Sequence, residues 1–572
     1  MNGASENPVP QIVQLNYQDG VVTLGWVMQG ITPSTPFKVS ITNEQTHQTT
    51  SYPATGFFAH IAADLTDGVP YTAVVAQDLG GGQFGPPSPP VPIITVSPVV
   101  TLVQNTGNGL RLNWNVVTGY TRYSAVLQQI GQQSQSQSVV GTTCFFDGAL
   151  TGTGYTTGVA AQSNDSVSTG PIAKVYTPIV DAPIVSTVQN TGAGLLLVWQ
   201  LVGTYLKYQA TLQETGQQPV TQVATGNSYT FNGALTGPAY TTYVAAQSDD
   251  GVLIGPPSLS YQPILTAPVM TGVENTGAGL KLSWNALPPY TRYVAVLQQI
   301  GSQSRSESVP TLTWTFAGTL SGTGFSTDVA AQSNDKILIG PPSTVYVPIV
   351  NQPSWTEIDY ITGSIDASWT QVSDAAVSGY LIQITDSGGQ SSSYPVPNTN
   401  TATLPVTLQP SRYSMVVRAT NGIVLGPWSA TLVPLTKPPQ AMTLGFDGTH
   451  LIGNWQPASP PDPQVTGYVV QLLANGIVSE TLLPPQPPQT FVSGLTTATI
   501  YTAQTRATGD RVKGPWSAPA TGPYAAAWTI TFDASGRLQR VAWTGAMTQT
   551  YTYDTAGNIT SVAYAPTPPA SS

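Results

Sequence analysis

One tryptophan, set each time in a short apolar run, returns along the chain at Trp26, Trp114, Trp199, Trp284, Trp369 and Trp455, at intervals of 88, 85, 85, 85 and 86 residues. Two other markers keep step with it. An aromatic follows at Tyr71, Tyr155, Tyr240, Phe325, Tyr413 and Tyr501, and a Gly-Pro pair closes each unit at Gly85, Gly170, Gly255, Gly340, Gly426 and Gly514. Three markers sharing one period make the chain a series of six similar units, each the size of a small domain.

Within a unit the pattern is that of strands. Leu110-Arg111-Leu112-Asn113-Trp114 alternates apolar and polar, so one face is buried and the other wet. The stretches 123–128 and 156–161 behave alike, and Asn105-Thr106-Gly107-Asn108-Gly109 and Ser163-Asn164-Asp165 supply turn residues. No stretch sustains a 3.6-residue period. Short strands at even spacing predict an all-β fold, a sandwich of about 85 residues repeated six times. The second to fourth units are nearest to one another, sharing Val159–Asp165, Val244–Asp250 and Val329–Asp335 almost letter for letter.

These residues resemble the fibronectin type III family of immunoglobulin-like sandwiches. The tryptophan of the second strand, an aromatic opening the third (Phe37, Tyr123, Tyr208, Tyr293, Tyr380, Tyr468) and a leucine shortly before the later tyrosine match that family's core markers. Leu65 precedes Tyr71 by six, as the family prefers, whereas Leu150, Leu235, Leu320 and Leu408 precede their aromatics by five. Phe325 has no hydroxyl for the tyrosine-corner bond. The closing Gly85–Ser88, Gly255–Ser258 and Gly340–Ser343 (GPPS) and Gly426–Ser429 and Gly514–Ser517 (GPWS) fit the last strand. The expected modules are 1–96, 97–181, 182–266, 267–351, 352–437 and 438–523, arranged as a string. Linkers such as Thr177–Pro183 and Pro348–Pro353 are short and proline-bearing, which predicts semi-rigid joints.

From Trp528 the texture changes, and 524–572 forms a separate tail. Residues 529–538 are echoed by 551–559, with Asp533 and Asp554 offset by 21. The pair resembles two YD repeats of the RHS family: an aromatic and Asp (Phe532-Asp533, Tyr553-Asp554), a turn closed by Gly536 or Gly557, then Arg or Asn and an aliphatic. Physically this is strand, turn, strand, with the glycine at positive φ and the aspartate bonding the turn amides. Two repeats are too few to close the β-shell of long arrays, so they must cover their apolar face on the last sandwich or pair edge to edge with another chain. Family members include bacterial toxin components and surface adhesion proteins. The resemblance therefore implies an extracellular or bacterial cell-surface setting, although the N-terminal stretch has no recognisable Sec signal peptide.

Charge narrows the partners. Only 8% of residues are Asp, Glu, Lys or Arg, against about 25% in an ordinary soluble domain, and the net charge is −10. That excludes a nucleic-acid binder built on clustered cations and a salt-bridged coiled coil. The uncharged stretch 79–110 is broken by glycines and prolines, which rules out a spanning helix. Cys144 stands alone, so no intrachain disulfide forms, and it reads as a buried strand residue. His47, His60 and His450 do not assemble a metal set, and the turn aspartates Asp165, Asp249, Asp250 and Asp335 supply too few oxygens for calcium. No nucleophile elbow or phosphate loop is present, so neither catalytic residues nor cofactor are expected.

Two surfaces remain as candidates. One is the Gln/Ser-rich stretch after the third strand, with Arg122, Tyr123, Gln128 and Gln129 in the second unit and Arg292, Tyr293, Gln298 and Gln299 in the fourth. It reads either as a solvated strand or as a face for glycans or for a neighbouring sandwich. The other is the aromatic set of the tail, with Trp528, Phe532, Asp533, Gly536, Trp543, Tyr551, Tyr553, Asp554, Gly557 and Tyr564. It reads either as hairpin core or as a docking element. The expectation is a non-enzymatic structural or adhesive protein, a rod or filament subunit whose partners are further copies or a larger YD-repeat protein. The alternative is a receptor- or glycan-binding accessory of a bacterial toxin system.

Overall fold

The computed structural model describes residues 8–172, 174–446, 450–459, 461–474, 477–483, 489–493, 501–522, 528–543 and 547–566. Every regular element among them is a strand, and the chain folds as six immunoglobulin-like β-sandwiches followed by a four-stranded hairpin sheet. The second sandwich shows how sequence becomes structure. In Gly109–Trp114 the side chains of Leu110, Leu112 and Trp114 are buried and Arg111 is exposed. In Thr143–Asp147 the inward positions are Cys144 and Phe146. The two-residue alternation read from the letters is thus the alternation of the pleat.

Each core is centred on the repeated tryptophan and the aromatic of the third strand. Ring centroids lie 5.2 Å apart for Trp26 and Phe37, 5.4 Å for Trp114 and Tyr123, and 5.3 Å for Trp199 and Tyr208, with similar pairs in the later sandwiches. The hydroxyl at the end of the third-strand tyrosine is not wasted. Tyr123 accepts the Val117 N–H at 2.8 Å and donates to the Tyr120 carbonyl, and Tyr208 does the same with Val202 and Tyr205. The later tyrosine also finds a local partner. The hydroxyls of Tyr71, Tyr155, Tyr240 and Tyr413 accept the amide protons of Thr66, Thr151, Gly237 and Gln409, in both leucine spacings.

The serine of the closing motif explains itself in the same way. Ser88, Ser258, Ser343, Ser429 and Ser517 each accept, through Oγ, the N–H of a buried sixth-strand residue (Val75, Val244, Val329, Val417, Thr505) at 3.0 or 3.1 Å. The strand turns away from the ladder here, and the hydroxyl stands in for the missing carbonyl. Ser429→Ala leaves that amide buried and unpaired, at an expected cost of about 1–2 kcal/mol. Accelerated hydrogen exchange at Val417 is the measurement that checks it.

The chain divides into two compact units, one of Met1–Ala267, Pro289–Arg292 and Ala330–Pro342, the other of Pro268–Pro288, Tyr293–Val329 and Ser343–Ser572. Inside each, the sandwiches do more than touch. In the first unit a seven-stranded sheet runs through Gln135–Val140, Arg122–Gln129, Tyr155–Gln162 and Ser168–Thr169 of the second sandwich, then Gln11–Gln18, Val21–Val27 and Phe58–Ala62 of the first. The seam is a parallel pairing of the first strand of one sandwich with the last strand of the next, Leu15 opposite Ser168 and Asn16 opposite Thr169. The same seam recurs as Val103 with Leu253 and Val188 with Leu338 in the first unit, and as Val273 with Val424 and Ile358 with Val512 in the second.

Candidate functional site

The seam is the most elaborated feature of the molecule, and four sets of residues build it. The first-strand amides of Leu15, Val103, Val188, Val273 and Ile358 donate to the carbonyls of Val167, Val252, Ile337, Ile423 and Arg511, at 2.8 to 3.0 Å. Apolar side chains of the incoming turn add to the preceding core: Val167 packs on the first, and Val252 and Leu253 on the second. The five first-strand residues are consequently buried to within 1%.

The linker is tied down as well. The side-chain amides of Asn105, Asn190 and Asn275 donate to the linker carbonyls of Ile179, Ile264 and Ile349, while their Oδ1 atoms accept the N–H of Gly107, Gly192 and Gly277. The linker side chain then fills the space over the Gly-Pro glycine. A Cβ on Gly255 would lie 2.7 Å from Ile179 Cγ2, and one on Gly426 would lie 2.7 Å from Ile349 Cγ2.

The turns that carry the seam are held by aspartate. Asp165 and Asp250 accept the hydroxyls of Ser163 and Ser248 at 2.6 Å and the amides of Val167 and Val252 at 3.1 Å, and Asp335 repeats the pattern. The serine bond first, then the amide bond, holds each carboxyl below the usual carboxylate range. A depressed folded-state pKa contributes stability that is present above about pH 3.9 and is lost as the pH falls through the folded value. Acidifying from pH 5 to 2 is therefore expected to loosen the Val252 turn before the cores. Asp250→Asn removes the acid dependence of exchange at Val103, whose amide bond crosses the seam.

In the second unit the seam is charged. Arg418 reaches Glu274 of the preceding sandwich at 2.7 Å and stacks its guanidinium 4.1 Å from the Trp428 ring. Arg506 holds both oxygens of Asp359, at 2.8 and 2.9 Å, and lies 4.4 Å from the Trp516 ring. Burial pushes the Asp359 carboxyl up, and Arg506 opposes that shift. Both arginines stand five residues after the later aromatic (Tyr413, Tyr501) and ten before the tryptophan of a GPWS motif, whereas the GPPS sandwiches carry Ala76, Ala245 and Ala330 five residues after Tyr71, Tyr240 and Phe325. That pairing of letters was the available signal, and sequence reasoning passed over it.

No protein-family model and no curated protein matches the sequence. Among solved structures the crystal structure of the FN1–FN3 domains of chicken CNTN1 is similar, at 17% identity and a TM-score of 0.20, over 45% of this chain and 98% of that one.

The Gln/Ser-rich candidates do not converge on one face. Tyr123 and Tyr293 belong to the cores, each about 1% exposed, and this corrects their place in a surface set. The alternation of Arg122–Gln129 puts Arg122 and Gln128 outward but Gln129 on the core side, where its amide donates to the Thr151 carbonyl at 3.2 Å. Arg122 donates to Ser138 Oγ, and some 20 Å of strand separates it from Gln128. In the fourth sandwich Gln298 is exposed, and Gln299 donates to Ser321 as Gln129 does to Thr151. Arg292 is half-buried.

The tail is one meander, Trp528–Phe532, Leu538–Trp543, Met547–Tyr553 and Ile559–Pro566. Its turns have the chemistry read from the letters. Asp533 Oδ1 accepts the amides of Ser535 and Arg537 at 2.9 Å, its Oδ2 takes Arg537 Nε at 2.8 Å, and Gly536 has φ +76°. Asp554 accepts the Asn558 amide at 2.8 Å, with Gly557 at φ +92°. Tyr553 donates to the Leu538 carbonyl at 2.6 Å under the Arg537 guanidinium, and Tyr551 donates to Gln549. Phe532, Ile530 and Ile559 are about half exposed or more. The side chains of Trp528, Trp543 and Tyr564 lie outside the described residues, although the backbones of Trp528 and Trp543 are cross-strand partners.

Proposed function

We propose that the chain is a non-enzymatic, extracellular structural or adhesive protein whose sandwiches serve as a mechanically coupled spacer and whose tail is a docking element. The observation that carries this reading is the seam. A parallel strand pairing, a buried linker side chain and an asparagine bridge fix successive sandwiches to one another, which a spacer requires and a catalyst does not. The cores are filled by their own aromatics, and the seam by the linker. The tail supports docking because its turns are rigidly bonded while Ile530, Phe532 and Ile559 present apolar surface. A chain ending at residue 523 is expected to keep its sandwiches but to lose assembly or surface binding, as seen by electron microscopy and cell-binding assays. Equal behaviour of the two chains would remove the tail from the mechanism.

A second reading draws on the same apolar tail face: a receptor- or glycan-binding accessory of a bacterial toxin system, docked on a larger YD-repeat protein. A glycan array and binding to host cells separate the two, since a pure spacer binds neither.

A further inference from the structure

Strand edges rather than side-chain clusters carry the inference. Among the described residues five first strands have the last strand of another sandwich beside them, and the sixth does not. Gln440–Phe446 is an outer strand of its sheet, whose order is Gln440–Phe446, His450–Gln456, Gln489–Ser493. Its register against the second strand, Leu444 opposite Gly453, makes Leu444 the counterpart of Ile358, which lies opposite Ala367. Yet Leu444 is half-buried, where Leu15, Val103, Val188, Val273 and Ile358 are sealed. Conversely, Gln83–Phe84 ends the sheet of the first sandwich, with no first strand beside it among the described residues.

The two edges fit each other. At the seam, the residue after the sealed one faces the residue before the Gly-Pro pair: Asn16 faces Thr169, Gln104 faces Ile254, Gln189 faces Ile339, Glu274 faces Leu425 and Asp359 faces Lys513. At the two open edges those places hold Gly445 and Phe84. They are the one glycine and the one aromatic in either column. Phe84 is 40% exposed, with the Lys38 ammonium 3.5 Å above its ring. A cross-strand aromatic laid over a glycine covers backbone that no side chain shields, a known device at sheet edges.

We propose that two copies of this chain join end to end. The Gln83–Phe84 edge of one copy adds in parallel to the Gln440–Phe446 edge of the other, with Phe84 over Gly445 and the Gly82 carbonyl accepting the Leu444 amide. This deepens the structural reading above and rests on it, but it uses a surface other than the tail. The contact is heterologous, so it adds copies head to tail, into a ring if the rotation closes and a filament if it does not. It lacks the covalent linker that gives internal seams an effective concentration in the millimolar range, so association depends on protein concentration and is sought up to about 1 mM.

The test uses the full chain in a Cys144→Ser background. A Phe84→Cys/Gly445→Cys double variant brings the two thiols across parallel neighbours, within the reach of a disulfide. Gly445 tolerates the change, because the nearest heavy atom to a Cβ there is 3.8 Å away. With oxidised glutathione as oxidant, a ladder of multimers is expected to form at least tenfold faster than for a Val116→Cys/Gly445→Cys control. Light scattering of the unmodified chain up to about 1 mM should show growth that Phe84→Asp weakens at least tenfold. A ladder no faster than the control overturns the proposal. So does growth that survives Phe84→Asp but vanishes on removing 524–572, which would assign assembly to the tail. A monomeric chain that still binds surfaces overturns the end-to-end contact while leaving the spacer reading in place.

Discussion

Arg506→Met is expected to lower the stability of the last sandwich and its seam by about 3 kcal/mol, since it leaves the Asp359 carboxylate buried without its partner. Arg506 is 8% exposed and Asp359 19%, so water cannot take over the role of the guanidinium. The deficit has a pH signature. Burial already raises the Asp359 pKa, and losing Arg506 raises it further. A carboxyl with a raised folded-state pKa contributes most below its unfolded value, near pH 3.9, and that contribution disappears as the pH rises through the folded value. The variant should therefore recover part of its deficit between pH 7 and 4. Hydrogen exchange at Ile358, whose amide bonds the Arg511 carbonyl across the seam at 2.8 Å, reads the effect locally. An Arg506→Met/Asp359→Leu double variant restores most of the stability, because two apolar groups replace a pair instead of orphaning one member. A double variant as unstable as the single would show that the arginine acts through its stacking on Trp516.

Gly426→Val is expected to cost about 3 kcal/mol, at the upper end for overpacking. The first added carbon meets Ile349 Cγ2 at 2.7 Å and the Ala419 carbonyl at 3.2 Å, and the valine methyls have nowhere to go. Ile349 is fully buried, so it cannot yield without opening the seam. The matched control is Gly85→Ala, in the same Gly-Pro motif, where the nearest atom is Gln77 Cβ at 3.7 Å. That change should stay within about 0.5 kcal/mol. Thermal unfolding of the two variants side by side is the measurement, and equal losses would mean that the glycine serves the motif and not the linker.

Much of each sandwich was legible because its determinants are local. Strand alternation, the tryptophan–aromatic pairs, and the Asp-x-x-Gly turns at Asp533 and Asp554 each occupy a few consecutive residues. The seams were not legible for the opposite reason. Leu15 and Ser168 are joined only through a three-dimensional register, and nothing local in Val167 marks it as a residue that covers another sandwich's core. Tyr123 was misassigned to a surface because its neighbours Arg122 and Gln128 are polar. The two-residue period that exposes them is what buries Tyr123. The closing serines were visible in the motif, but their role depends on a sixth-strand amide twelve to fourteen residues earlier.

The seams also impose an order in time. The edge at Leu15 is completed by Ser168, 153 residues further on, and the edge at Ile358 by Val512. At roughly 5–20 residues per second of synthesis, each first strand waits some 10–30 s before its neighbour's last strand emerges. During that wait it is an open edge, the surface on which chains mispair. Asn16, Gln104, Gln189, Glu274 and Asp359 occupy the waiting strands, all polar, so the growing chain shows water an edge of amides and carboxylates until the next sandwich closes over it.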